Sequence, residues 1–159
     1  MGVAEEKSIA VVEVRPDCAE ALELLTELDA QLATYPYPPE SCHAFSVEKL
    51  LQENVAFFVA WYEGQPAGCG GVKLFGTEYG EVKRMFVRPA FRGLGLGKAI
   101  LQRLAEYASA RQVSVLRLET GIHQIEAIGL YEAFGFERRG PFGAYREDPN
   151  SVYFEKTIA

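Results

Sequence analysis

The chain has little of what metal and redox chemistry uses: three cysteines, two histidines and two methionines in 159 residues. Cys18, Cys42 and Cys69 are odd in number and widely spaced, so neither a disulfide framework nor a clustered metal site is expected, and free thiols suit a reducing, cytoplasmic setting. His43 and His123 stand at no zinc-like spacing from a cysteine pair or from each other, and read as surface or capping residues. No metal is expected. Apolar runs are short as well, none approaching the ~20 residues a membrane helix needs. Met1 to Lys7 carries Glu5 and Glu6 and lacks an apolar stretch, so it does not read as a signal peptide. Basic excess is also missing. The net charge of −6 argues against nucleic acid as a partner, because phosphate backbones are met by basic surfaces. An acidic field instead favours a cationic substrate such as an amine.

What is present is the mix of an ordinary globular domain, with 48% hydrophobic and 24% charged residues. Without repeats, low-complexity tracts or linkers, residues 1–159 are expected to form a single domain. Ser8 to Arg15 alternates as a strand that Pro16 ends. Asp17 is positioned to cap a helix from Cys18 to about Ala33, with Ala21, Leu24, Leu25 and Leu28 on one face. Tyr35-Pro36-Tyr37-Pro38-Pro39 is barred from helix and reads as an aromatic loop. Ser46 caps a short helix that ends near Glu53. Three strands in hairpin order follow, over Val55–Tyr62, Pro66–Phe75 and Glu81–Arg88. A helix from Leu96 or Gly97 to about Arg111 buries Ile100, Leu101, Leu104, Ala105 and Ala108. Then come a strand at Val113–Thr120, a helix at Ile125–Phe134 closed by Gly135, and strands at Phe136–Arg139 and Val152–Lys156. That order predicts a mixed sheet with helices on both faces.

Between the third strand and its helix lies Arg92-Gly93-Leu94-Gly95-Leu96-Gly97-Lys98. A glycine-rich turn feeding a helix N-terminus presents backbone N–H groups and partial positive charge, and its glycines let the chain approach an anion closely. Arg92 and Lys98 add charge at the rim. The dinucleotide fingerprint fails because Lys98 stands where its last glycine should be. The P-loop fails at Arg92 and at Ala99. Only the pattern Arg-x-x-Gly-x-Gly fits throughout.

With this loop, Glu81-Val82-Lys83-Arg84-Met85-Phe86-Val87, Leu118-Glu119-Thr120 and Ala127–Phe136, the chain resembles the GNAT superfamily of acyl-CoA-dependent N-acetyltransferases from about Val55 to Lys156. The resemblance implies a mostly antiparallel sheet of six to seven strands and about four helices, splayed between strands 81–88 and 113–120. It further implies that acetyl-CoA lies in the splay. Met85, Phe86 and Val87 then pair with the pantetheine arm as an added strand, and Arg92, Gly93, Leu94, Gly95, Leu96, Gly97 and Lys98 hold the pyrophosphate. Gln124 stands where the family often has asparagine against the cofactor arm, and keeps the amide chemistry.

Tyr131 stands where many members place a tyrosine near the thioester sulfur. It shares a helix face with Gln124, Ala127 and Ile128, and a phenol suits a general acid for a departing thiolate. The alternative is a ring that only packs beside Leu130 and Phe134. Glu81 is the candidate general base, sharing strand parity with Lys83, Met85 and Val87; the alternative is a solvated charge at a strand end. Glu119 reads as structural. The amine attacks the thioester directly, since no cysteine has a catalytic setting. Tyr35, Tyr37 and Tyr145 are candidates to line the acceptor site, whereas Phe142 reads as loop packing. The expected partners are acetyl-CoA and a small amine, a metabolite or amino acid, with a homodimer left open. Competing readings are an acyl-CoA sensor without turnover and an acetyltransferase of protein lysines or N-termini.

Overall fold

The computed structural model describes residues 8–42 and 45–158. The readings of Met1–Lys7 and His43 lie outside those residues. The described chain forms seven strands and four α-helices: β1 (Ile9–Val14), α1 (Ala19–Leu32), α2 (Val47–Gln52), β2 (Ala56–Tyr62), β3 (Gln65–Phe75), β4 (Tyr79–Val87), α3 (Leu96–Ser109), β5 (Val115–Gly121), α4 (Ile125–Phe134), β6 (Glu137–Arg139) and β7 (Ser151–Thr157). The strands form one sheet in the order β1-β2-β3-β4-β5-β7-β6. Every pairing is antiparallel except β4 with β5.

Position in the sheet explains the strand sequences. β1 is an edge on which no residue is fully buried, and it leaves Val12 exposed. β2 is central and apolar throughout, because both its faces are covered. Phe58, Ala60 and Tyr62 join the core beneath α3 and α4, while Phe57 and Val59 join the core beneath α1 and α2. The β2–β3 turn places Glu63 at φ 49° and Gly64 at φ 80°, the two positive values of a tight hairpin turn. α3 turns Ile100, Leu101, Leu104 and Ala108 onto the sheet, with Ala105 only partly covered. Gly135, at φ 106°, ends α4 as a left-handed cap. Among the described residues no helix is long and apolar enough to cross a membrane.

Two local expectations are corrected. Asp17 does not cap α1. Its carboxylate accepts from Arg15 Nε and Nη2, both at 3.0 Å, and Cys18 takes the N-cap position without a side-chain bond. Ser46 does cap α2, accepting from Lys49 N at 3.2 Å. The second correction concerns β4. Its register with β3 slips between Cys69 and Gly71, and Arg84 sits at φ 56°. This is a β-bulge, and one extra residue reverses which face the later side chains take. Glu81 and Lys83 therefore do not share a face with Met85 and Val87. Met85 and Val87 pack against the α3 core, and Phe86 points into the α1 core.

The parallel pair β4–β5 is short. Only Gly80↔Leu116 and Glu81↔Arg117 are in register; beyond them the strands part. Bulge and divergence together open a cleft through the middle of the sheet, with α1 on one side and the start of α4 on the other.

Candidate active site

The cleft has two chambers. The first, of about 420 Å³, is lined by Met85, Phe86 and Val87 of β4, the loop residues Arg92, Gly93, Gly95 and Gly97, and Gln124, Ala127 and Tyr131 at α4. From Val82 onward β4 has no partner on its β5 side, so main-chain groups along that edge are open to an extended ligand. The loop above it holds Gly93 at φ 80° and Gly95 at φ 87°, and a Cβ added at either would meet nothing within 4 Å. These glycines are required by backbone conformation rather than by crowding. Gly95 is the N-cap of α3, so the helix's first N–H groups and its positive end point at the loop. Open main-chain groups beside a glycine turn at a helix N-terminus can receive an extended arm that carries phosphate groups.

Arg92 spans the chamber mouth. It donates to Val87 O at 3.2 Å, to Gln31 Oε1 at 2.7 Å and to Glu126 Oε2 at 3.0 Å, tying α1 to α4. Leu94 and Lys98 are exposed and lie outside the chamber wall. Gln124 is the N-cap residue of α4 and borders both chambers.

The second chamber, of about 270 Å³, lies on the α1 side and is lined by Leu28, Asp29, Tyr37, Cys42, Phe45, Glu81, Lys83, Arg84, Glu119 and Tyr145, among others. Met85, Gln124 and Tyr131 border both chambers. Tyr131 is 5% exposed, and its ring packs on Phe136 at 5.8 Å and Phe154 at 6.1 Å. It belongs to the α3–α4 core yet reaches through the divergent strands to the opposite side. Its hydroxyl makes no hydrogen bond to a described residue. Burial, aided by the charge of Glu119, pushes its phenol pKa well above 10.0. A neutral phenol at the junction can donate a proton and is not ionised at neutral pH.

Glu81 sits at the vertex where β4 and β5 part. It is no solvated strand end: its side chain is 4% exposed, Lys83 Nζ lies 2.9 Å from Oε2, and Tyr145 Oη donates to the same oxygen at 2.6 Å. Burial, then the negative charge of Glu81, raises the Tyr145 phenol pKa far above its usual value, which keeps it a neutral donor. Lys83 Nζ also lies 4.4 Å from the Phe45 ring centroid.

The tyrosine loop divides. Tyr37 borders the second chamber and accepts from His123 N at 2.8 Å, while its ring stacks obliquely on His123 at 5.3 Å. A Cβ at Gly121 would lie 2.1 Å from the Tyr37 hydroxyl, so that glycine makes room for the contact. Tyr35 borders the first chamber instead, beside Gln31 and Arg92. Phe142 is buried against Tyr79, Tyr145 and Tyr153 as loop packing.

Glu119, Arg84 and Cys42 also line the second chamber, where sequence reasoning did not place them. Glu119 lies two residues past the last β4–β5 pair, on the same face as Arg117, so strand parity carried the signal. Arg84 faces the chamber only because of the bulge, and no local pattern announces one. Cys42 borders the second chamber but is exposed, with Sγ 3.5 Å from Pro38 O. Among the described residues no group of three or more His, Cys, Asp or Glu could hold a metal ion.

A splayed mixed sheet, a glycine cradle at a helix N-terminus and a neutral phenol between two chambers define an acyl-CoA-dependent transferase. The model of the acetyltransferase (GNAT) family matches residues 22–136, and the chain belongs to that family. An IAA acetyltransferase of Azospirillum brasilense is 43% identical over 139 residues, covering 86% of this chain and 90% of that one. The uncharacterized N-acetyltransferase YsnE of Bacillus subtilis is 42% identical over 123 residues, 76% of this chain and 82% of its own. The crystal structure of an acyl-CoA N-acyltransferase from Klebsiella pneumoniae superposes with a TM-score of 0.79 at 34% identity, covering 95% of this chain and 98% of the other. The protein is thus an acetyl-CoA-dependent N-acetyltransferase, with acetyl-CoA as cosubstrate.

Proposed function

We infer that residues 1–159 act as a single N-acetyltransferase domain on a small primary amine, by direct attack in a ternary complex. The observation that carries this reading is Tyr131, which borders both chambers at once. Acetyl-CoA occupies the first chamber, its pantetheine arm along Met85, Phe86 and Val87 and its pyrophosphate at the Arg92–Gly97 loop. The acceptor enters the second. Its neutral amine attacks the thioester carbonyl; the C–N bond forms, the C–S bond breaks, and Tyr131 gives its proton to the thiolate. The proton lost by the amine passes to Glu81, directly or through a water, and later returns Tyr131 to its neutral form. Main-chain N–H groups at the bulge, next to Met85, polarise the carbonyl as negative charge develops. A cysteine route has less support, because Cys69 is buried in the sheet and Cys42 is exposed on the acceptor side.

The chamber's size supports a small acceptor, at or below the ~300 Å³ lower end of ordinary ligand pockets. The first experiment is a thermal shift with acetyl-CoA, ATP and NAD, where a ligand at 100 times its dissociation constant stabilises by ~2.7 kcal/mol. Coenzyme A thiol release across an amine panel comes second. IAA is assayed beside that panel because it appears in the name of the Azospirillum relative. Stabilisation by acetyl-CoA alone is expected. Stabilisation without thiol release from any amine would favour the sensor reading.

A further inference from the structure

Arg84 is a costly residue to place where it stands. Its backbone is left-handed at φ 56°, a conformation that L side chains rarely adopt. Its side chain is 7% exposed, and its Nε is buried with no hydrogen-bond partner. A buried guanidinium donor left unmade is expensive, and a fold that keeps one needs a use for it. The ion-pair partner of Arg84 is Asp29 on α1, which contacts Nη2 alone and is 60% exposed. So exposed a carboxylate holds weakly and is easily exchanged for another. A ligand carboxylate in its place could take Nε and Nη2 together, the two-pronged geometry that a guanidinium prefers.

The surroundings select the kind of ligand. Lys83 adds a second cation beside Arg84, but its ammonium is already held by Glu81. Asp29, Glu81 and Glu119 all border the same chamber. Any anion at Arg84 meets those three carboxylates, and they repel a singly charged carboxylate less than a dianion such as a phosphate. The same carboxylates favour an ammonium group on the ligand. Cation and anion sites therefore stand in one chamber, as a zwitterion needs.

The placement agrees, because Arg84, Met85 and Tyr131 line the same chamber and Met85 and Tyr131 also border the first one. Past Glu81 and Tyr145 the chamber opens into a groove of about 830 Å³, with room for a side chain. We propose that the acceptor is an amino acid, its carboxylate held by Arg84 at the β4 bulge and its amino group directed at the donor chamber. This rests on the acetyltransferase reading above.

The experiment compares coenzyme A release from acetyl-CoA with the twenty common amino acids, their carboxamides and their decarboxylated amines. At least one free amino acid is expected to exceed its own amide and amine in kcat/KM by about tenfold or more, the worth of a charge-assisted bond. Arg84→Gln should collapse that ratio toward one, and Arg84→Lys, which keeps charge but not the two-pronged contact, should leave it between the two. Stabilisation of each variant by acetyl-CoA shows that the donor chamber is intact. Amides or decarboxylated amines used as well as the acids would overturn the proposal. So would a ratio unchanged in Arg84→Gln, or no turnover of any amino acid. In the last case, coenzyme A release with any other amine of the panel shows that the acetyltransferase reading stands and this proposal alone fails, whereas stabilisation by acetyl-CoA without release from any amine counts against both.

Discussion

Replacing Tyr131 with phenylalanine isolates chemistry from folding. The ring packs on Phe136 and Phe154, and those contacts survive the change. The hydroxyl has no protein partner among the described residues, so removing it breaks no hydrogen bond. Stability should therefore move by less than ~1 kcal/mol, the range of changes that leave packing and buried bonds intact. Catalysis is a different matter. A positioned general acid is worth about 10²- to 10⁴-fold, or roughly 3–5 kcal/mol of barrier. The acid acts on the leaving thiolate, so the loss should fall on kcat, with acetyl-CoA binding unchanged. Urea unfolding gives the first quantity, calorimetry with acetyl-CoA the second, and coenzyme A release with an acceptor from the panel the third. Because burial raises the phenol pKa, wild-type turnover should show no loss of the acid's proton up to about pH 10. A kcat for Tyr131→Phe within threefold of wild type would refute the reasoning and leave Tyr131 as packing.

Glu81→Gln strands Lys83 beside a neutral amide, and breaking so buried a pair should cost about 3–5 kcal/mol; the double variant Glu81→Gln, Lys83→Met should recover much of that in urea unfolding. If the double variant also recovers turnover, Glu81 is not the base. Gly95→Ala has space for its methyl but forces φ 87° on an L residue, a strain of about 1–2 kcal/mol; calorimetry should show acetyl-CoA affinity falling about tenfold, and unchanged affinity would contradict the cradle. The buried Cys69 thiol is pushed up to about 12 by desolvation, so a thiol reagent should label Cys42 first and spare Cys69 in the native state; labelled Cys42 should block acceptor turnover while acetyl-CoA still stabilises the protein. Stability should also fall in alkali. Burial raises the phenols of Tyr131 and Tyr145 above 10.0, so the folded state holds protons that the unfolded chain releases from about pH 10 upward. That stabilisation is complete below pH 10 and is lost as pH rises beyond it. Urea midpoints between pH 8 and 11 should drop, and drop less in Tyr145→Phe.

Much of the architecture was legible in local pattern because its causes are local. Ile125–Phe134 reads as a helix from its sequence and from the glycine that caps it. Ala56–Tyr62 reads as a buried strand because a run of seven apolar residues leaves little alternative. The glycine turn before α3 was legible too, since glycine at Gly93 and Gly95 answers a backbone need that no neighbour imposes. Pairing partners and faces were another matter. The bulge at Arg84 is settled by how β4 meets β3, and it turned the parity argument for Glu81, Met85 and Val87 on its head. The division of Tyr35 from Tyr37 between the chambers likewise depends on where α1 and the β5–α4 turn meet. By itself, then, the sequence determined the order of elements, the glycine turn that feeds α3 and the family. Only the tertiary structure decided which side chains share the second chamber, because that chamber is formed where strands separate and no residue records in its own neighbourhood a gap between two distant segments.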